Sequence, residues 1–245
     1  MRERIHWALR RLGLVVRKLE SSNDEYQVIR DTLRASGADV VLDVGANVGQ
    51  FGDLVLETGF AGDLISFEAI PEVHERLVSH ARARSRAWVV APCAALGSKA
   101  GQTVINIAGN SVSSSLLPMR SEHVEAAPES AYVRTEVVRI ERLDELAAKL
   151  IRPNGRLMIK IDTQGYELEV LAGATGLLPR TVALQVELSL VPLYEGAATF
   201  VEAVRQIESR GFELFSIAPG FKDRRTGRLL QVDGIFLCRQ GTQPG

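Results

Sequence analysis

Four short stretches of this sequence place acids and glycines where chemistry could be done. The first is Asp43-Val44-Gly45-Ala46-Asn47-Val48-Gly49, which continues the apolar run Val40–Val44 and opens a helix-like stretch. Gly45 and Gly49 would let the backbone turn tightly and approach a ligand closely. The others are Glu68 in Phe67-Glu68-Ala69, Asp162 in Ile159-Lys160-Ile161-Asp162, and Glu187 in Val186-Glu187. Each closes an apolar, strand-like run, and in open α/β sheets ligands bind beyond the carboxyl ends of the strands.

The glycine loop reads G-x-N-x-G, not the G-x-G-x-x-G of a dinucleotide site. A carboxylate at the strand end, here Asp43, would repel a pyrophosphate but suits the ammonium of an amino-acid-like ligand. Glu68 is placed to accept ribose hydroxyls. Taken alone it is weak, because nicotinamide enzymes use an acid at the same place. Together the two acids predict a ligand with an amino acid at one end and a nucleoside at the other, which is S-adenosylmethionine (SAM). The plain alternative for Asp43–Gly49 is a βα turn with no ligand.

Alternating strands and helices must position these residues. Val40–Val44, Leu64–Phe67 and Trp88–Val90 are continuous apolar runs, as expected for parallel strands covered on both faces. Gln50–Thr58 and Pro71–Arg82 between them predict helices, with Pro71 suited to a first helical turn. This βαβαβ rhythm predicts right-handed crossovers and a parallel sheet. Strands are next expected at Thr103–Ile107 and Val133–Ile140, separated by the irregular, Ser- and Glu-rich stretch Gly109–Ser130. A connection that long is usually functional or disordered, and residues 109–130 are a candidate lid. A short helix Leu143–Leu150, strand Leu157–Ile161, helix Tyr166–Leu178, strand Val182–Leu188 and helix Thr199–Arg210 follow, the last ending at Gly211. Between Phe212–Ile217 and Leu230–Leu237 there is no room for a helix, so the final two strands should be antiparallel neighbours.

Composition sets outer bounds. At 245 residues, 46% hydrophobic and 24% charged, the chain can bury a full core as one domain. A net charge of -1 exerts no pull toward nucleic acid or acidic membranes. Cys93 and Cys238 are far apart, which argues against a disulfide framework or zinc knuckle and favours a reduced, cytoplasmic setting. No apolar run reaches the roughly 20 residues that would span a bilayer. Ile5, Leu9, Leu12, Val16 and Leu19 fall at helical spacing beside Arg2, Arg10, Arg17 and Lys18. That basic amphipathic helix, in residues 1–20, would pack on the domain or on a second subunit of a homodimer, or else touch a membrane surface. Residues 1–37 are therefore expected as a helical extension to a domain spanning 38–240.

The motifs also resemble a known family. DVGANVGQF, FEAIP, Ser113-Ser114-Ser115-Leu116, Leu143-Asp144-Glu145-Leu146, Ile159-Lys160-Ile161-Asp162-Thr163-Gln164-Gly165-Tyr166-Glu167 and Val186-Glu187 are similar to those of FkbM-type methyltransferases. The resemblance runs from about Val40 to Leu237, with Ala69 standing where the family usually has Pro. It implies a class I, Rossmann-like α/β sheet of seven strands in the order 3-2-1-4-5-7-6, strand 7 antiparallel, with helices on both faces. It would make strand 3 an edge, where Pro92 is tolerated, and Cys93-Ala94-Ala95-Leu96 a wall of the adenine pocket. The expected SAM site is then Asp43, Gly45, Asn47, Gly49, Glu68, Ala69, Ala94 and Ala95.

In that fold Asp162 lies beside the cofactor's methyl group, with Glu187 at the corresponding end of the next strand. The two are the candidate catalytic residues, and as a carboxylate pair also a candidate Mg²⁺ site, since Mg²⁺ takes few carboxylates and keeps waters. For Asp162 the competing role is capping the helix that follows, and Lys160 on the same strand face could neutralise it. His123 is either a base or a solvated loop histidine. His74 and His80 fall on a surface helix without an evident role, and Lys222–Arg228 reads as a solvated hairpin tip. The resemblance implies O-methylation of a hydroxyl on a sugar, oligosaccharide or related small molecule such as a polyketide. A nucleic-acid substrate is disfavoured, because Asp162-Thr163-Gln164-Gly165 lacks the Pro-Pro-aromatic signature of amino-group methylation and no strongly basic surface is evident. A non-catalytic protein that keeps the fold is the third reading.

Overall fold

The computed structural model describes residues 25–239. The amphipathic helix expected in residues 1–20 lies outside them. Helix α1 (Glu25–Ser36) leads into β1 (Val40–Val44), α2 (Gln50–Glu57), β2 (Asp63–Phe67), α3 (Pro71–Arg84) and β3 (Trp88–Val90). The second half supplies β7 (Leu157–Ile161), α6 (Glu167–Ala172), β8 (Thr181–Ser189), α7 (Phe200–Glu208), β9 (Phe212–Pro219) and β10 (Gln231–Cys238). These strands form one seven-stranded sheet in the order β3-β2-β1-β7-β8-β10-β9. All neighbours are parallel except β10, which runs antiparallel to both β8 and β9. This is the 3-2-1-4-5-7-6 order, with the closing hairpin where the short spacing requires it.

Alternation along the central strands sends side chains to two cores. Val40, Leu42 and Val44 of β1, with Ile159 and Ile161 of β7, face Val170, Leu171, Ala203 and Ile207 of α6 and α7. Val41, Leu64, Met158 and Ala183 face Ile29 and Leu33 of α1, Phe51 and Val55 of α2, and Trp88. Both faces are covered, which is why these strands read as unbroken apolar runs. On the second face the next residues along are polar. Asp43 pairs in register with Ser66 of β2 and Lys160 of β7, and Lys160 pairs with Gln185 of β8. A buried polar row thus crosses four strands at their carboxyl ends.

A second, three-stranded sheet was not legible in the sequence. It joins β4 (Ala95–Leu96), β6 (Tyr132–Glu141) and β5 (Gly101–Ala108) in the order β4-β6-β5. The stretch 109–130, containing the short helix α4 (Ser121–Ala126), closes the β5–β6 hairpin. Helix α5 (Leu143–Ala147) links this sheet back to β7.

Most boundaries shift by one to three residues, and two helices show why. The helix predicted over Tyr166–Leu178 stops at Ala172, and only a short 3₁₀ turn, Leu178–Arg180, precedes β8. Gly173 is the C-cap, at φ −81° and ψ 0°, and its backbone packs on the Gly97 carbonyl so closely that only glycine fits. Helix α7 starts one residue later than expected because Thr199 is its N-cap, in a reciprocal capping box with Glu202.

Candidate active site

A cavity of about 290 Å³ opens at the carboxyl ends of β1, β2, β7 and β8. Its walls include Gly45, Asn47, Glu68, Ala69, Ala94, Ala95, Asp162 and Glu187. Eight of the ten site residues expected from the sequence therefore meet at one cavity. Gly49 and Asp43 are not among its lining residues. Gly49 instead packs beneath α2 against Trp88, His80 and Leu77.

The shape of the loop after β1 is set by its backbone. Gly45 has φ +77°, and a Cβ there would overlap the Asp162 carbonyl. Its N–H and that of Ala46 donate to the Phe67 carbonyl at 3.1 and 3.0 Å. Asn47 is also left-handed, with φ +47°, and its Nδ2 donates to Ser111 Oγ at 3.1 Å. That bond ties the loop to the 109–130 segment.

Glu68 is fixed by three backbone donors. Its Oε2 accepts from the Asn47 N–H at 2.8 Å, and its Oε1 from Ala69 and Ile70 at 2.9 and 2.8 Å. A carboxylate has about four lone-pair sites, so one on Oε2 is left for a hydroxyl. Burial raises the Glu68 carboxyl above its ordinary range, and the three N–H donors oppose that rise. Beside it Ile70, Ala94, Ala95, Leu96 and Ile105 provide apolar walls of the kind a flat base requires. The residues present thus fit the nucleoside of SAM.

Asp43 is fully buried behind this surface. Its Oδ2 accepts from Ser66 Oγ at 3.1 Å, and its Oδ1 lies 3.4 Å from Lys160 Nζ. Trp88 Nε1 in turn donates to Ser66 Oγ at 2.9 Å. Lys160 Nζ also lies 3.3 Å from Asp162 Oδ2 and 5.5 Å from the centre of the Phe51 ring. Burial alone would depress the lysine, but Asp162 and Asp43 outweigh it and hold Lys160 protonated. The carboxylate expected to meet an ammonium on a ligand meets one from the protein.

Asp162 does not cap the following helix. The N–H groups of Thr163 and Gly165 donate instead to Glu167 Oε1, at 3.0 and 2.9 Å. Asp162 and Glu187 are joined through Gln164, whose Nε2 donates to Asp162 Oδ1 at 2.7 Å and Glu187 Oε2 at 2.8 Å. Gln231 Nε2 donates to the same Glu187 oxygen at 2.7 Å. Burial, then the Asp162 and Glu167 carboxylates, push the Glu187 carboxyl well above its usual range. An amide and an ammonium therefore stand where a cation would need these oxygens. Among the described residues no group of three or more His, Cys, Asp or Glu is placed to hold a metal. The donor set does not fit the Mg²⁺ site considered from sequence.

Sequence reading missed Glu25, Gln185 and Asp233, all of which line the cavity. Gln231 and Asp233 alternate within the run Leu230–Leu237 and so share one face, a period-two signal that was available. His123 is also not a solvated loop residue. It is 2% exposed, packed edge-on to Tyr194 and beside Phe221, with ring centres 5.3 and 5.1 Å away. Burial lowers it to about 4, and it does not line the cavity. His74 and His80 have structural partners, the Ala91 carbonyl at 2.7 Å and Asp53 Oδ2 at 2.9 Å.

A doubly wound sheet of this strand order, with its last strand antiparallel and an acid-flanked glycine loop after β1, defines a class I methyltransferase. The chain belongs to the FkbM family: the Methyltransferase FkbM domain matches residues 43–214. It is a SAM-dependent methyltransferase. No curated protein matches its sequence. A candidate O-methyltransferase from Klebsiella pneumoniae is similar in structure, with TM-score 0.50, 12% identity and coverage of 97% of this chain and 89% of that one. Magnesium protoporphyrin IX methyltransferase from Synechocystis PCC 6803, solved with bound SAM, has TM-score 0.47 at 9% identity, covering 89% and 79%. Precorrin-6y C5,15-methyltransferase from Geobacter metallireducens GS-15 has TM-score 0.46 at 14% identity, covering 92% and 93%.

Proposed function

We propose that this enzyme is an O-methyltransferase acting on a hydroxyl of a sugar, glycan or related hydroxylated natural product. The observation that carries the reading is Asp162, whose side chain is 32% exposed in the cavity while Asp43 is sealed. Gln164 fixes one of its oxygens and Lys160 the other. Bound SAM supplies a methyl group activated by its sulfonium. The chain's own residues do the rest. Glu68 and the Gly45 loop fix the nucleoside end, and Asp162 receives the hydroxyl proton as the new O–CH₃ bond forms and S-adenosylhomocysteine leaves. Holding the reacting atoms in line and excluding water are the main demands of such a displacement.

The segment 109–130 is suited to that exclusion. Ser111, Val112, Ser114, Ser115 and Leu116 line the cavity, and Ser115 Oγ donates to the Gln164 carbonyl at 2.7 Å. The balance of charge favours a neutral or cationic acceptor. Among the described lining residues five are acids (Glu25, Glu68, Asp162, Glu187 and Asp233) and one, Lys160, is basic. A nucleic-acid phosphate would be repelled. No helix among the described residues is long and apolar enough to cross a membrane. The reading places the enzyme in the cytoplasm, where the free Cys93 and Cys238 would stay reduced.

Calorimetric titration with S-adenosylhomocysteine, then a methyl-transfer screen against glycans and hydroxylated metabolites, tests the reading. Asp162→Ala should retain cofactor affinity and lose roughly 10²-fold or more in turnover. Undiminished turnover in that variant would remove Asp162 from the chemistry. Methylation confined to amino groups would replace the reading.

A further inference from the structure

Beyond Asp162 the cavity continues over β8 and β10, away from the nucleoside end. Three polar side chains share one sheet face there. Glu187 of β8 pairs directly with Asp233 of β10, and Gln185 lies two residues before Glu187. Directly opposed residues are about 5 Å apart and alternate residues on a strand about 7 Å apart, so the three form a compact triangle. Glu25, at the start of α1, adds a fourth polar group at the edge of the cavity.

Gln185 is 2% exposed, and its Oε1 has no hydrogen-bond partner among the described residues. Its amide contacts Asp233, leaving the oxygen as a buried acceptor without a donor. Such groups are uncommon in folded proteins, and each calls for an explanation. No protein cation answers this one. Lys160, the only basic group among the described lining residues, lies within 3.4 Å of Asp43 and 3.3 Å of Asp162. Nor do these acids converge as metal ligands.

We propose that Gln185, Glu187 and Asp233 form a subsite for a protonated primary amine carried by the acceptor. A primary ammonium presents three N–H donors and no acceptor, matching one amide oxygen and two carboxyls around it. Burial and the Asp162 carboxylate raise the Glu187 and Asp233 carboxyls above their usual range, and an ammonium set between them would favour their ionised forms. A neutral hydroxyl could satisfy Gln185 but not the charge, and a phosphate could satisfy neither. The cofactor's own ammonium is the other source of this chemistry. In the sheet order β10 lies four strands from β2, roughly 19 Å from the strand that leads into Glu68, which places the subsite on the acceptor's side of Asp162. This inference rests on the reading that Glu68 marks the nucleoside end. It names the acceptor as an amino sugar or a similarly amine-bearing alcohol, methylated on oxygen while the ammonium anchors it.

The test uses the full chain saturated with S-adenosylhomocysteine. Calorimetry compares methyl β-glucopyranoside, its 2-amino-2-deoxy counterpart, and the N-acetylated form of the latter. The amine should bind roughly tenfold or more tightly than either neutral sugar. Asp233→Asn should abolish the preference while leaving S-adenosylhomocysteine affinity within about twofold, which also reports that the variant is folded. Glu25→Gln, outside the sheet, should reduce the preference by a smaller factor and serves if Asp233→Asn does not fold. Equal binding of the three sugars, or none, overturns the proposal. A tenfold loss of S-adenosylhomocysteine affinity in Asp233→Asn also overturns it, by giving the acids to the cofactor's ammonium. Failure of O-methylation itself is a separate result, read as no S-adenosylhomocysteine binding or no methylated hydroxyl in any acceptor.

Discussion

The Tyr194 hydroxyl lies 2.6 Å from Gln164 Oε1 and so fixes which way the Gln164 amide points. With Oε1 engaged by the phenol, Nε2 must face Asp162 and Glu187, the two carboxyls it bridges. Gln164 itself sits at φ +56°, an uncommon conformation for a residue with a side chain and one found at functional sites. Tyr194 is buried against His123 and also reaches the Ser113 carbonyl, at 3.2 Å. The candidate catalytic carboxylate is thereby coupled to the packing of the 109–130 segment through one phenol. Tyr194→Phe should leave a buried amide oxygen unsatisfied, at a cost of about 1–3 kcal/mol. We expect turnover to fall about tenfold with S-adenosylhomocysteine affinity nearly unchanged, by steady-state kinetics beside calorimetry. A variant equal to wild type in turnover would mean the Gln164 amide needs no such anchor.

Lys160 carries the opposite burden, since its ammonium is what lets Asp43 remain buried. Lys160→Met removes one member of a buried ion pair and strands the other, a change that costs about 3–5 kcal/mol. Urea unfolding should show that loss. The double variant Asp43→Asn/Lys160→Met should recover part of it, because the stranded charge is gone as well. Strict additivity of the two single changes would show that the pair is not coupled.

Gly45→Ala tests the loop rather than the charges. Its positive φ and its contact with the Asp162 carbonyl leave no space for a methyl group. The β1–β7 tips would have to separate at the point where the cavity floor is built. S-adenosylhomocysteine binding should weaken more than tenfold, and the unfolding midpoint should drop. Gly196→Ala is the matched control, because it too has positive φ but open space around its Cβ position. Its loss should be confined to the stability lost by straining φ.

Much of this site could be read from the chain, because parallel strands covered on both faces announce themselves as apolar runs ending in a polar residue. Val40–Val44 ending at Asp43-Val44-Gly45, and Leu157–Ile161 ending at Asp162, are of that kind. Local spacing also forced the β9–β10 hairpin. What escaped depends on pairing between distant segments. Asp43 looked like a ligand contact until the register placed Lys160 beside it. Asp233 gained a place in the cavity only because β10 inserts between β8 and β9 and sets it opposite Glu187. His123 looked solvated because nothing in its neighbourhood of Ser and Glu residues predicts Tyr194 and Phe221, far along the chain, as its packing partners. The β4-β6-β5 sheet was missed for the same reason, since the two-residue β4 has no periodicity to detect.

Glu167 offers a pH test that is separable from catalysis. Burial, aided by the Asp162 carboxylate and opposed by the Gly165 and Thr163 N–H groups, raises its carboxyl to about 7, against about 4.3 in an unfolded chain. Between those values the folded state holds a proton that the unfolded state releases. Stability from this group is therefore full below about pH 4 and is lost as pH rises through 7. His123, lowered to about 4 by burial, acts in the opposite sense, being protonated only when unfolded between about pH 4 and 6.5. The raw pH profile mixes these two with other raised carboxyls, Asp233 at about 7 and Glu187 well above its usual range among them. Comparing wild type with Glu167→Gln isolates the acid, since the amide keeps Oε1 as an acceptor for the Thr163 and Gly165 N–H groups and cannot titrate. Urea unfolding at pH 5 and pH 8 should show the variant gaining on wild type by about 1–3 kcal/mol at the higher pH. Parallel profiles would mean that Glu167 titrates normally in the fold, and a gain at pH 5 instead would reverse the sign assigned to it.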